Sequence, residues 1–267
     1  MVPVAGRLEA LTRFVHNYER VCLQNPKEAE RSVLMVIFYS RSNEPDPSRE
    51  ILVQLRDRYG PQRVRILEGH GNFSRARALD QGAKTLGERD LMFFIDVDIH
   101  FGAGALLRLR RNCILGHRMY FPVVFSQYDP SVVGSDNGII SERTGFWRIF
   151  GFGIAAMYRR DYNSVGGFDL GIEGWGKEDV DLFEKVVRSE LEVFRAPDVD
   201  LVHIYHGVFC QSTLESLQYS MCKGTRADTY AGTQQLGQMI YDNPAYLRFA
   251  RARRIAANAN ASSAPAG

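Results

Sequence analysis

Three short apolar runs constrain this chain more than any other feature: VLMVIFY at residues 33–39, VRILE at 64–68 and LMFFI at 91–95. Between them lie stretches with helical character, ILVQLRDRYG at 51–60 and a segment at about 74–86. Strand, helix, strand, helix, strand in that order predicts a parallel sheet with right-handed crossovers. Ahead of them Leu8, Leu11, Val15, Tyr18 and Cys22 recur at helical spacing, so the first segment reads as an amphipathic helix. A helix at 103–113, a strand at 119–125, a polar loop at 129–144 and a helix from about Glu178 continue the pattern. No linker divides the chain, so residues 1–250 read as one domain, and 251–267, without an apolar period, as a disordered tail.

The third run ends in FFIDVDIHF, which drops Asp96 and Asp98 onto an apolar strand. Burying an unpaired carboxylate costs several kcal/mol, so a positive charge is expected there. Ligands of open α/β sheets bind beyond the carboxyl ends of the strands, where these aspartates fall. A D-x-D at that place suits a divalent cation that also holds a diphosphate. Alone the motif is weak, because two aspartates also fit a solvated turn.

Downstream, LVHIYH offers His203 and His206 as further ligands. Residues three apart on a regular strand face opposite sides, so both serve one ion only if the strand ends between them. His206 is the safer choice and His203 the second; each is also compatible with a structural role. In GWGKEDVD, Trp175 stands between glycines ahead of Glu178 and Asp179 at a helix start, where the dipole favours a carboxylate. One reading is a plain N-terminal charge pair. The other makes one carboxylate a general base toward a sugar hydroxyl, with the tryptophan face against the sugar. Arg75 and Arg77 open the helix before the D-x-D strand, and either can pair with phosphate or lie on a solvated face.

Bulk composition narrows the class. The 267 residues suffice for a sizeable core, and a net charge of +2 argues against nucleic-acid binding by bulk electrostatics. No apolar run reaches a membrane span and the N-terminus lacks signal-peptide features, so a soluble chain without its own anchor is expected. Cys22, Cys113, Cys210 and Cys222 fit neither a metal motif nor a dense disulfide scaffold. A Cys210–Cys222 bridge is favoured; four buried free thiols are the alternative.

Taken together, FFIDVDIHF, YFPVVFSQYDP, TGFWRIFGFGIAAMY, VGGFDLGIEGWGKEDVDLFEKVV, LVHIYHGVFC and YSMCKGTRADTYAGTQQL resemble the C-terminal N-acetylgalactosaminyltransferase domain of chondroitin synthases, from about Gly6 to Tyr241. Chondroitin N-acetylgalactosaminyltransferases and β4-galactosyltransferases share the D-x-D, the GWG-x-ED block and the closing histidine. The resemblance implies an α/β GT-A fold: a Rossmann-like, mostly parallel sheet flanked by helices. It also implies inverting transfer from UDP-GalNAc, with Mn2+, to the terminal glucuronate of chondroitin in β1-4 linkage.

By that resemblance Asp98 binds metal with His206, and His203 falls where the galactosyltransferases place another ligand. Asp96 and Val97 lie on the nucleotide side, while Phe73 and Arg75 meet uridine and diphosphate. Asp179 is the base, Glu178 its acceptor-binding neighbour and Trp175 the stacking ring on donor and acceptor. Lys177 departs from the β4-galactosyltransferase glycine and is expected to pair with the acceptor's glucuronate. The implied compartment is the Golgi lumen, and the implied partners are a UDP-sugar, a glucuronate-ended oligosaccharide and a second synthase subunit. The anchor and glucuronyltransferase domain of full-length synthases are not in this sequence, so alternating polymerisation is not expected of it alone. Asn72 and Asn260 begin glycosylation sequons; Asn72, against the nucleotide pocket, is expected to stay bare. Competing readings are a non-catalytic, polymerising-factor-like subunit and transfer of another UDP-sugar; the intact D-x-D, ED pair and closing histidine favour the enzyme.

Overall fold

The computed structural model describes residues 1–40, 46–134, 139–174, 176–244, 247–248 and 251. The N-terminal half comprises β1 (Val2–Ala5), α1 (Leu8–Tyr18), β2 (Leu34–Tyr39), α2 (Pro47–Tyr59), β3 (Val64–Glu68), α3 (Arg75–Ala83) and β4 (Leu91–Phe94). A π-turn at Glu19–Leu23 closes α1. Strands β1, β2 and β3 form a wholly parallel sheet in that order. All six residues of β2 are buried, as a strand covered on both faces requires. Leu34, Val36 and Phe38 pack with Leu11 of α1 and Leu52 of α2. Met35, Ile37 and Tyr39 meet Ala78 of α3 on the opposite face. The Ile95 amide donates to Met1 O (3.1 Å), which sets β4 beside the start of β1.

The rest comprises β5 (Ile99–Phe101), α4 (Ala103–Asn112), β6 (Arg118–Tyr120), β7 (Val123–Gln127), the single turn α5 (Pro130–Val133), β8 (Gly145–Trp147), β9 (Ala155–Tyr158), α6 (Arg159–Ser164), α7 (Glu178–Val187), β10 (Glu192–Phe194), β11 (Pro197–His203), α8 (Ser216–Asp228) and α9 (Thr233–Asp242). Two four-stranded sheets, β10-β6-β9-β4 and β5-β11-β7-β8, mix parallel and antiparallel pairs.

The fold departs from the sequence expectation at several elements, the turn α5 within the expected loop at 129–144 among them. Strand β1 is additional, a short stretch whose apolar residues are buried by pairing with β2. The expected helix through Cys22 ends at Tyr18 in its regular form. The expected strand at 119–125 divides into β6 and β7 at Pro122, which has no N–H for a ladder; the two parts join different sheets. Most of the expected tail, with Asn260, and the tryptophan at 175 lie outside the described residues. Cys210 and Cys222 are bridged, with Cα atoms 5.8 Å apart, while Cys22 and Cys113 are free and buried. Among the described residues no helix is long and apolar enough to cross a membrane.

Candidate active site

Strand β4 stops at Phe94, and the chain turns through Asp96–Asp98 with the Ile99 amide donating to Asp96 O (3.1 Å). Val97 and Ile99 point into the core and hold the turn; Asp98, between them, is only 7% exposed. Antiparallel pairing of β5 with β11 then sets His203 opposite Ile99. Because β11 ends at His203, the chain swings back and His206 reaches the same aspartate. Asp98, His203 and His206 each present a ligand atom within 4.8 Å of the others. The termination between the histidines that local spacing could not supply is thus present, and both serve the cluster.

The details fit a cation. Asp98 Oδ2 lies 3.0 Å from His206 Nε2 and 3.1 Å from Arg7 Nη2. Its Oδ1 is buried without a hydrogen bond among the described residues, and His203 Nε2 stands 3.7 Å away. An orphaned carboxylate oxygen beside the His203 imidazole, with the His206 imidazole on the other oxygen, is an unfinished site. His206 Nδ1 is 3.2 Å from Gly207 O; if its proton is spent there, the Nε2 lone pair faces the Asp98 oxygen. That arrangement needs a proton or a metal between them. Burial opposes ionisation of Asp98, but the His206 hydrogen bond, both imidazoles and Arg7 outweigh it and hold its carboxyl well below the ordinary range. Burial pushes His203 down to about 4, so it is neutral and able to ligate near neutral pH. One carboxylate and two imidazoles suit a first-row divalent ion.

Arg75 ties the second aspartate to the next element. Its Nε donates to Asp96 Oδ1 (2.9 Å), its Nη2 to Gly153 O (2.6 Å), and its Nη1 lies 3.7 Å from Glu178 Oε1. That Nη1 has no hydrogen-bond acceptor among the described residues. Arg75 stands at the start of α3, where the Ser74 side chain caps the helix. Burial raises the Asp96 carboxyl, with Arg75 acting against it. Phe73 is 46% exposed, its ring edge-on to Tyr39 at 5.4 Å. Arg77, the other basic candidate, is committed to Glu173 (2.7 Å) and Leu170 O (3.3 Å).

Helix α7 brings Glu178 and Asp179 in its first turn. Glu178 is buried, and burial, with the neighbouring Asp179 and Asp96 charges, raises its carboxyl to about 7 against the pull of Arg75. Asp179 is half-buried; its Oδ2 accepts from the Phe152 amide (3.3 Å). Lys177 precedes the helix at φ 78°, a backbone region costly for a side-chain-bearing residue. Its Nζ reaches Glu215 Oε2 (3.3 Å), at the base of α8.

Three site residues escaped the sequence reading. Arg7 pairs with Asp98 from the turn after β1; a basic residue following the apolar VPVAG was the available signal. Ser126 Oγ lies 3.2 Å from His203 Nδ1 and accepts from Arg148 Nη2 (2.9 Å), orienting the imidazole from behind. Nothing local to either residue announces that contact.

The fold is that of the GT-A glycosyltransferases. A mannosyltransferase from Pyrobaculum calidifontis, solved with GDP-Man and Mn2+, superposes with a TM-score of 0.54 over 99% of this chain and 75% of its own, at 16% identity. More narrowly, the chain belongs to the chondroitin N-acetylgalactosaminyltransferase family, matching it over residues 1–236. It is 38% identical to chondroitin sulfate synthase 3 of Homo sapiens over 259 residues, which are 94% of this chain and 29% of that protein. It is 35% identical to chondroitin sulfate N-acetylgalactosaminyltransferase 1 of Mus musculus over 251 residues, 90% of this chain and 47% of that protein. The chain therefore spans less than half the length of either relative.

Proposed function

We propose that this chain transfers GalNAc from UDP-GalNAc to the 4-hydroxyl of a terminal glucuronate in chondroitin, with inversion to a β1-4 linkage. The observation that carries the reading is the convergence of Asp98, His203 and His206 at the carboxyl end of the sheet. Asp96 and Arg75 lie beside them, and the ED pair opens the neighbouring helix. A divalent cation held by Asp98, His203 and His206, manganese by analogy with the family, would neutralise the diphosphate and act as a Lewis acid toward the leaving group.

The remaining chemistry falls to the side chains. Asp179 holds one oxygen against the Phe152 amide and keeps the other for the acceptor's hydroxyl proton. As that proton moves to Asp179, the acceptor oxygen bonds the anomeric carbon and the bond from that carbon to UDP breaks on the opposite face. The Arg75 guanidinium, with Nη1 unspent, faces the diphosphate, and the exposed Phe73 ring offers a surface for uracil. Such alignment contributes several kcal/mol of barrier reduction. The product ends in GalNAc, so alternating growth needs a glucuronyl-transferring partner, here proposed to be a second synthase subunit. The Cys210–Cys222 bridge supports an oxidising compartment, in keeping with the Golgi lumen.

The deciding experiment incubates purified protein and Mn2+ with a panel of UDP-sugars and a glucuronate-ended chondroitin oligosaccharide. Transfer from UDP-GalNAc alone, with a β1-4 linkage by NMR, is expected. Transfer from another donor would reassign the substrate, and turnover with none would leave a non-catalytic subunit.

A further inference from the structure

Beyond His206 the protein carries an open groove of about 680 Å³ between the loop after β11 and helix α8. The size is that of a ligand pocket. None of the donor-side residues Phe73, Arg75 and Asp96 lines it, yet its wall includes Tyr205, which sits between the two histidines. From α8 it receives Tyr219, Lys223 and Arg226 at i, i+4 and i+7, one face of the helix, with Tyr230 following at i+11. Gln218 and Cys222 are buried on the side of α8 that faces the body. Gln218 Nε2 donates to Glu173 O (2.8 Å) and Gly176 O (3.3 Å), so the same helix touches the loop that leads into Asp179. From Gln218 to Arg226 the helix rises about 12 Å.

The charges of the lining are unbalanced. Among the described residues its one carboxylate is Asp129, which is taken by the Tyr205 hydroxyl (2.8 Å), the Ser131 hydroxyl (2.6 Å) and the Ser131 amide (2.9 Å). Among the described residues neither Lys223 nor Arg226 has an acidic partner; the Lys223 ammonium rests 5.5 Å from the Tyr219 ring centroid, which leaves its N–H groups to spare. The Cys210–Cys222 bridge fastens the loop wall to the helix wall, so cations and aromatic rings are presented by a braced surface. Cations set among tyrosines match a carboxylated sugar: ammonium and guanidinium for the carboxylate, rings for the apolar sugar faces.

We propose that this groove is a subsite for an internal uronate of the acceptor chain, with Lys223 and Arg226 pairing its carboxylate. The assignment rests on the function proposed above and adds a length preference: acceptors long enough to lay a second uronate along α8 bind more tightly than a single terminal disaccharide.

The test uses the full chain, with Lys223→Gln/Arg226→Gln and the charge-keeping Lys223→Arg/Arg226→Lys. Both positions are exposed, so folding is not at risk. Binding of a fluorescent unsulfated chondroitin heptasaccharide ended by glucuronate is measured by anisotropy without donor, beside a carboxyl-reduced heptasaccharide and a glucuronate-ended disaccharide. The neutral double variant is expected to weaken the heptasaccharide about tenfold and flatten its salt dependence, to weaken the disaccharide far less, and to recover in the charge-keeping variant. Wild type and the neutral variant should bind the carboxyl-reduced probe alike. Equal binding of the heptasaccharide by wild type and neutral variant, or an equal loss with the reduced probe, overturns the subsite. Absence of sugar transfer by the wild type would instead remove the proposed function, and the binding measurement would still decide the groove.

Discussion

The β1-β2-β3 sheet and the loop that follows β11 are held by different physics. In the sheet, Val36, Ile37 and Phe38 are wholly buried between helices, and stability comes from apolar area removed from water. The loop has no such core: Gly207 and Phe209 are exposed, and its course is set by a hydrogen bond from the Ile204 amide to Asp98 O (2.8 Å), by the His206–Asp98 contact and by the disulfide. The contrast separates where this protein keeps its stability from where it keeps its chemistry.

The largest effect expected is on the chemistry alone. Asp179→Asn should lower kcat by about 10²- to 10⁴-fold while leaving the urea midpoint nearly unmoved; a loss below tenfold would assign the base elsewhere. The mirror image is Phe38→Ala, which should cost about 3–5 kcal/mol in urea unfolding with kcat per folded molecule retained. A kcat drop with unaltered stability would erase the distinction between the regions. Cys222→Ser opens the link closed over 12 residues and should cost about 3 kcal/mol. Because the loop carries His206, that variant should also bind Mn2+ more weakly in calorimetry than Phe38→Ala does.

Glu178 sharpens the comparison through pH. Its carboxyl, raised to about 7 by burial, holds its proton more tightly folded than unfolded. This contribution is complete below the ordinary glutamate range and lost as pH climbs through about 7, an effect on the order of 2–3 kcal/mol. Urea midpoints at pH 5 and pH 8 should therefore differ more for the wild type than for Glu178→Gln. The smallest change is expected at Lys177, whose partner Glu215 is exposed: Lys177→Leu should cost under about 1 kcal/mol. Its acceptor KM should rise severalfold, and an unchanged KM would remove Lys177 from the acceptor contacts.

Much of the fold was legible because burial repeats locally. The runs at 33–39, 64–68 and 91–95 became β2, β3 and β4, and the aspartates fell at the strand end as expected. Strand β1 escaped because four residues are too few to display a period, and with it went Arg7. Pro122 was visible in the sequence, but not that the chain changes sheets there. Of the site, Asp98 and the ED pair could be read from residue type and position, whereas the joint use of His203 and His206 depended on where β11 stops. Ser126 and Arg148 act through a side-chain relay that no spacing encodes.

The sequence by itself determined β2, β3 and β4 with the helices between them and which acids stand at the end of β4, since apolar runs and helical spacing are properties of neighbouring residues. Tertiary structure alone decided that Asp98 meets two histidines far along the chain, because only the register of β5 on β11 brings those side chains together. It also decided that Lys223 and Arg226 face a groove, because the disulfide and Gln218 settle how α8 lies on the rest of the molecule.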